Sequence, residues 1–342
     1  MPPAGQTRRR RTGRAAALLA ALALGLATAG AASETPAARA DTRAAPEEPG
    51  STPDGRELYR LPDDYRSPLG TFNQVAIVAW QKKRLEIINE RLSMHLRLSE
   101  TRHYLVFGEA GSPIAARFAQ WGEALHANLL KHLALSENAH VWDGKCVLIL
   151  FARRPKFEEY ARVFDGHDVR QAGAYFAIEQ HGPDDPNLVH MCFPIETRDE
   201  RRQQELFAHE GTHAFFELYR TPGRLPLWLH EGLAEYMTTV NDPALRPVKW
   251  QASAVLAAAQ APLGRLFAAK PGDELSRDQY SAAFTLVDFL LAEGRHKFKT
   301  FVDALKDGKD QNAALREAYG FAIDELVRRW HAYARQYRPA GP

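Results

Sequence analysis

The spacing of apolar residues in the first half of the chain switches between helical and strand-like periods. Residues 72–97 and 112–135 place apolar side chains three and four positions apart, so both segments are predicted to be helices. TRHYLVFGEA alternates around an apolar centre, and KCVLILFAR is a continuous apolar run, which indicates two strands. A short helix, KFEEYARVF, follows the second strand.

Two more strands are predicted just before the pattern becomes helical. GAYFAIE and NLVHMCF flank a turn rich in Gly and Pro, which is typical of a β-hairpin. Helical spacing then dominates from Thr197, which has the spacing of a capping box with Glu200. The pattern therefore predicts an α+β fold, in which a small mixed sheet with helices precedes a mostly helical half.

The N-terminus has the pattern of an export signal. A basic stretch precedes an apolar run at residues 15–30 and small residues that suit a signal peptidase, so residues 1–32 are predicted to be a cleaved signal peptide. An uncleaved membrane anchor is the alternative, although the run is shorter than the roughly 20 residues of a spanning helix. We therefore expect an exported protein, periplasmic or secreted, without stable membrane insertion after cleavage.

The remaining boundaries follow from composition and from the predicted elements. Residues 33–70 are expected to be a flexible linker, because most of this segment is rich in Pro, Ala, Gly and charged residues. An N-terminal helix is expected over residues 71–100 and a catalytic core over residues 101–240. A C-terminal helical subdomain is expected over residues 241–342.

The charge balance and the cysteine content limit the possible partners and bonds. The 44 basic and 42 acidic residues give a net charge of +2, so electrostatics provide no reason to expect a nucleic-acid partner. The only two cysteines, Cys146 and Cys192, fall in predicted strands that could be neighbours in one sheet. They could form a disulfide after export, or remain two buried thiols.

The clearest chemical signal is a His-Glu-x-x-His string in the first helix of the helical half. His209 and His213 lie four positions apart, so both imidazoles share one face of the helix and can chelate one ion. Glu210 is adjacent to His209 and can reach the open coordination position. There it would act as a base and take a proton from water.

A third ligand is available in the next predicted helix, PLWLHEGLAEYM. Glu231 follows a helix break, and a helix-turn-helix can bring it back against His209 and His213. Two imidazoles and one carboxylate leave a fourth position open, as catalytic Zn²⁺ requires. Glu235 lies one turn further and is predicted to accept a hydrogen bond from the second nitrogen of a ligand histidine. A solvated surface carboxylate is the alternative for Glu235.

Helix geometry excludes two neighbouring side chains as ligands. Glu217 would lie two turns, roughly 12 Å, from His209 along one straight helix. His230 adjoins Glu231, but its side chain should point about a quarter turn away. Glu231 is therefore the predicted third ligand.

The segments AHEGTHAFF and PLWLHEGLAEYM together resemble the gluzincin zinc peptidases, and most closely the peptidase MA-like domains of exported bacterial proteins. The resemblance extends over about residues 100–337. It implies Zn²⁺ as cofactor, hydrolysis of a peptide or protein substrate, and a zincin-like active-site helix. It also implies an edge strand that pairs with extended substrate, for which NLVHMCF is the candidate.

The same resemblance implies a tyrosine that stabilises the oxyanion. Related aminopeptidases carry this tyrosine on a later helix, and Tyr280 occupies a comparable place in QYSAAFTLVDFLL. The residues after Tyr280 lack the charges of the family stretch, so a core role is the alternative. Tyr236, Tyr175 and His190 are weaker candidates.

The sequence thus predicts an exported zinc metallopeptidase in which Glu210 is the general base. Two alternatives stay open at this point. One is an exported zinc-binding scaffold protein without turnover. The other is a metal-dependent amidase that acts on cell-wall amides.

Overall fold

The computed structural model describes most of the chain after residue 60. The described residues are 61–66, 71–109, 112–179, 186, 188–196, 199–221 and 223–336. The predicted signal peptide and nearly all of the predicted linker lie outside them. No helix within these ranges combines the length and apolar content needed to cross a bilayer.

The described elements form a small sheet followed by a helical half. The strands are β1 (Leu96–Glu100), β2 (Tyr104–Glu109), β3 (Cys146–Phe151), β4 (Tyr175–Glu179) and β5 (Leu188–Pro194). The first helices are α1 (Gln74–Arg91), α2 (Pro113–His132) and α3 (Arg154–Tyr160), which continues as a π-helical turn, Ala161–Asp165. The later helices are α4 (Glu200–Leu218), α5 (Leu227–Asn241), α6 (Arg246–Ala258), α7 (Gly264–Ala268), α8 (Arg277–Ala292), α9 (Arg295–Lys306), α10 (Gln311–Tyr319) and α11 (Ile323–Ala334). The predicted α+β fold, with a mixed sheet before a helical half, is confirmed.

The five strands are ordered β1-β2-β3-β5-β4. β2, β3 and β5 are parallel, whereas β1 and β4 pair antiparallel at the two ends. The predicted hairpin of β4 and β5 is present. NLVHMCF is not an edge strand, however, because His190 in β5 is paired with Val147 on one side and with Ala177 on the other. Among the described strands, β4 is the edge on this side of the sheet.

The helix predicted over residues 72–97 is shorter than its apolar pattern suggests. It ends at Arg91, and Leu96 begins the unpredicted strand β1. Ser93 has a φ of 49°, which a helix cannot continue through. The Asn89 side chain also binds both backbone groups of Leu96, accepting from its N–H at 3.0 Å and donating to its carbonyl at 3.1 Å. A local side-chain bridge thus overrides the helical spacing.

Two apolar cores lie on opposite faces of the sheet. One face is covered by α2, α4 and the later helices, and its core includes Cys146. The other is covered by α1, α3 and the π-helical turn, and its core includes Cys192. The two strands are neighbours, as predicted, but their cysteines point to opposite faces. Both are therefore buried free thiols rather than a disulfide.

A buried ionic network ties α1 to the sheet on the α1 face. His190 lies between two carboxylates, with Nε2 2.8 Å from Asp165 and Nδ1 3.0 Å from Glu179. Arg84 of α1 pairs with Glu179, and the Tyr175 hydroxyl donates to Asp165 at 2.6 Å. Burial opposes ionisation of His190, but Asp165 and Glu179 outweigh it and raise its pKa to about 9. The network therefore favours an imidazolium.

We predict that this network makes stability fall at alkaline pH. The folded pKa of His190 lies above its unfolded value of about 6.5, so its contribution is complete below pH 6.5 and is lost as the pH rises to about 9. The free energy of unfolding, measured in urea, should fall over this window by roughly 1–3 kcal/mol more in the native protein than in His190→Gln. If the free energy of unfolding depended on pH in the same way in both proteins, the raised pKa of His190 would be contradicted.

Candidate metal centre

The helix that carries the His-Glu-x-x-His string is fixed at both ends. Asp199 is its N-cap and accepts from the Arg202 N–H at 3.0 Å. Glu200 is the first helical residue, and Thr197, its expected partner in a capping box, lies outside the described residues. At the C-terminal end, the buried Lys306 amine of α9 donates to the carbonyl of Phe216 at 2.6 Å. The position of α4 is thus set independently of any ligand.

The middle of α4 is buried between α2 and the sheet. An added Cβ at Gly211 would lie 2.6 Å from Leu125 of α2, so glycine allows this close approach. His209 and His213 are only 2% and 1% exposed. Their Nε2 atoms face each other at 3.0 Å. Both rings therefore point into the same buried space.

Helix α5 brings Glu231 to the same space. Pro226 precedes the first helical residue of α5, and Glu231 follows one turn later. Its Oε2 lies 3.5 Å from His209 Nε2 and 3.6 Å from His213 Nε2. The potential ligand atoms of Glu231, His209 and His213 all lie within 4.8 Å of one another. The structure thus brings all three predicted ligands together.

The spacing of these three atoms fits a small divalent cation. They form a triangle with sides of 3.0, 3.5 and 3.6 Å, whose centre lies about 2.0 Å from each corner. Zn²⁺ binds protein nitrogen and oxygen at about 2.0–2.2 Å. Glu231 Oε2 has no hydrogen-bond partner among the described residues. A buried carboxylate oxygen without a partner is costly, and a cation at this centre would satisfy it.

The charges around the ligands also favour a cation. Burial opposes ionisation of His209, but Glu231 and Glu235 outweigh it and raise the pKa of His209 to about 10. The same histidines hold the pKa of Glu231 well below its usual range, against the effect of burial. A metal ligand must be a neutral imidazole, so binding of a cation here would release a proton.

Glu210 is placed as an uncommitted carboxylate beside the ligands. It is 1% exposed, and its Oε1 makes no hydrogen bond within the described part of the chain. Burial raises the pKa of Glu210 to about 6, against the charges of His209 and His213, which lower it; Glu231 adds a smaller rise. A carboxylate with a pKa near neutrality can both accept and return a proton.

Glu235 faces the second nitrogen of His209, although without the hydrogen bond that the sequence predicts. Its Oε1 lies 3.4 Å from His209 Nδ1, an ion-pair distance without the alignment of a hydrogen bond. Its Oε2 pairs with Lys249 of α6. Glu235 is 7% exposed, so it is not a solvated surface group.

Tyr280 lies at the start of α8, near the same carboxylates. Burial raises the pKa of its hydroxyl, and Glu231, Glu235 and Glu210 raise it further. The hydroxyl therefore stays protonated and can donate a hydrogen bond. The charges of these three carboxylates therefore act on the half-buried Tyr280.

The weaker tyrosine and histidine candidates lie elsewhere. Tyr175 and His190 belong to the ionic network on the α1 face of the sheet, opposite α4. The Tyr236 hydroxyl lies 3.5 Å from His132 Nδ1, and the charges that affect it are those of other residues. Of the four candidates, Tyr280 is the one whose surroundings include Glu210 and Glu231.

A second group with ligand chemistry is formed by Asp165, His190 and Cys192 on the α1 face. The two ring nitrogens of His190 already pair with Asp165 and Glu179. Burial raises the pKa of the Cys192 thiol well above its usual value. Because both ring nitrogens of His190 already have carboxylate partners, this group has little need of an ion. Glu231 Oε2, by contrast, lacks a hydrogen-bond partner among the described residues.

His230 contributes to the site in a way that the sequence did not reveal. Its ring stacks on His213, with centroids 4.0 Å apart, and its Nε2 lies 3.7 Å from Glu217. Neither His230 nor Glu217 is among the three side chains that converge on one point, His209, His213 and Glu231. The stack restricts rotation of His213. It depends on how α4 and α5 cross, which the spacing of residues does not specify.

We predict that Gly232, beside the third ligand, tolerates no side chain. An added Cβ would lie 2.5 Å from the Ala283 carbonyl oxygen of α8, a backbone atom that can move only with its helix. Gly232→Ala should lower the free energy of unfolding in urea by roughly 1–3 kcal/mol. The matched control is Gly264→Ala, where a Cβ meets no atom within 4 Å and stability should change little. Equal stability of the two variants would refute the close contact.

Comparison with known proteins locates this site within a family. No curated protein matches the chain. Residues 188–336 match the family model described as Peptidase MA superfamily. The matched segment begins at β5 and includes both helices of the metal centre and the helices up to α11. Residues 188–336 of this chain therefore form a domain of the peptidase MA superfamily, a peptidase-like domain.

Proposed function

We propose that the protein is an exported zinc metallopeptidase in which Glu210 is the general base. The observation that carries the proposal is the convergence of His209, His213 and Glu231 on one point, beside an unpaired buried carboxylate. A purely structural ion has no use for that carboxylate. Export rests on the predicted signal peptide, and peptide hydrolysis rests on the superfamily.

His209, His213 and Glu231 would hold the ion, and their two nitrogens and one oxygen suit Zn²⁺. When bound, the ion would supply Lewis acidity that polarises the scissile carbonyl and acidifies the attacking water. Glu210 accepts the proton of that water and returns it to the leaving amine. A carboxylate whose pKa is raised by burial suits both steps.

Tyr280 and Glu235 complete the proposed arrangement. The Tyr280 hydroxyl donates a hydrogen bond to the oxygen that becomes negative when the carbonyl is attacked. Glu235 orients His209 through its second ring nitrogen. The site thus separates three tasks: ion binding, proton transfer and stabilisation of the oxyanion.

We predict that Glu210→Gln separates metal binding from hydrolysis. The variant keeps the shape of the side chain but cannot accept the proton, so Zn²⁺ should remain bound in a 1:1 ratio. Cleavage of an unstructured peptide library, followed by mass spectrometry, should fall by about 10²–10⁴-fold. His213→Ala is the control and should lose both zinc and activity.

The outcomes of this experiment separate the three candidate functions. Unchanged hydrolysis in Glu210→Gln would remove Glu210 from the mechanism. Full zinc loading of the native protein without any peptide cleavage would favour a scaffold. Cleavage of cell-wall amides but of no peptide would favour an amidase.

We also predict that Tyr280→Phe lowers kcat by about 10²-fold while KM and zinc content change little, because the hydroxyl acts in the transition state. Tyr236→Phe is the matched control, since it removes a hydroxyl that lies against His132 instead. Steady-state kinetics on one cleaved peptide would decide. Equal effects of the two variants would count against the assigned role.

A further inference from the structure

We propose that Lys249 is a positioning residue of the metal centre, which holds Glu235 in place against His209. The inference rests on the proposed function, since it concerns the same site. Lys249 lies on α6, outside the two helices that carry the proposed ligands. It pairs with one oxygen of Glu235, and the other oxygen of Glu235 faces the imidazole of His209.

The two oxygens of Glu235 have different partners. Oε2 pairs with the Lys249 amine, and Oε1 lies 3.4 Å from His209 Nδ1. The side chains of Glu235 and Lys249 are 9% and 18% exposed, so solvent screens the pair only in part. Because the carboxylate is planar, fixing one oxygen also fixes the other. Lys249 thus determines whether Oε1 faces the imidazole.

Lys249 can act in this way because its helix is itself held firmly. The flanking Arg246 donates to Asp288 of α8 at 2.6 Å. The Ser253 hydroxyl, one turn after Lys249, donates to the Ser281 carbonyl at 2.6 Å. Trp250 is buried against the core. The backbone of Lys249 therefore has a defined position relative to α8.

Removal of the amine would leave Glu235 as a buried carboxylate without its cation. Such a charge is unfavourable, and the carboxylate can relieve it by rotating towards water. That rotation deprives His209 Nδ1 of its facing acceptor. Loss of partners that orient a ligand histidine commonly weakens metal binding by about 10–100-fold. Lys249 reaches His209 only through Glu235, so its removal should weaken metal binding by about 10-fold, the lower end of this range.

Glu205 is a second carboxylate on which the charge of Lys249 acts. It lies one turn before His209 on α4. Its carboxylate, however, pairs with Arg201 at 3.5 Å. Glu205→Gln is therefore a matched control, because it removes a neighbouring carboxylate that does not bridge Lys249 to His209.

The test is a double-mutant cycle on zinc affinity, measured by competition with a chromophoric chelator. Lys249→Met keeps the aliphatic stem and should raise the Kd for Zn²⁺ about tenfold, and Lys249→Gln should do the same. Lys249→Arg should retain most of the native affinity for Zn²⁺. In a Glu235→Gln background, Lys249→Met should change the Kd less than about twofold, because the path is already broken.

Thermal unfolding of the zinc-free variants separates positioning from folding. Lys249→Met should unfold at a lower temperature than the native protein but remain fully folded at the temperature of the affinity measurement, where its Kd differs, and Glu205→Gln should keep the native Kd. Additive effects in the cycle, or a native Kd in Lys249→Met and Lys249→Gln, would overturn the inference and leave the proposed function standing. Failure of the native protein to bind Zn²⁺ would instead overturn the proposed function, and this inference with it.

Discussion

The rest of the site depends on one constraint: polar atoms of four side chains meet in a buried space without enough hydrogen-bond partners among the described residues. His209, His213, Glu210 and Glu231 are each less than 5% exposed. A buried polar atom without a hydrogen bond costs about 1–3 kcal/mol, more when it is charged. The hydrogen bonds within the site therefore leave several of its polar atoms unsatisfied. The surrounding packing must impose the convergence, and a bound cation would relieve its cost.

That packing comes from several helices of the second half of the chain. Helix α8 approaches α5 at Gly232, and α9 fixes the end of α4 through Lys306. Helix α6 reaches Glu235 through Lys249. One core extends from Tyr104 in the sheet to Ala334 in the last helix. The helical half thus supports the candidate metal centre, since each of these contacts fixes a different helix of it.

The opposite face of the sheet shows how the same residue types behave when they are fully paired. His190 has a carboxylate at each ring nitrogen, and Arg84 pairs with one of them. Charges balance within that network, and it ties α1 to the sheet. At the metal centre, the two imidazoles face each other, and Glu231 Oε2 lacks a partner in the described structure. The difference between the clusters lies in their pairing rather than their composition.

The sequence by itself determined the fold class, most of the elements and the ligand spacing, because helical and strand periods are local and i,i+4 residues share a face. It did not determine strand β1, the edge position of β4 or the opposite orientation of the two cysteines. The stack of His230 and the reach of Lys249 were also decided by the tertiary structure. These features depend on strand order and helix crossing, which arise from contacts between residues far apart in the chain.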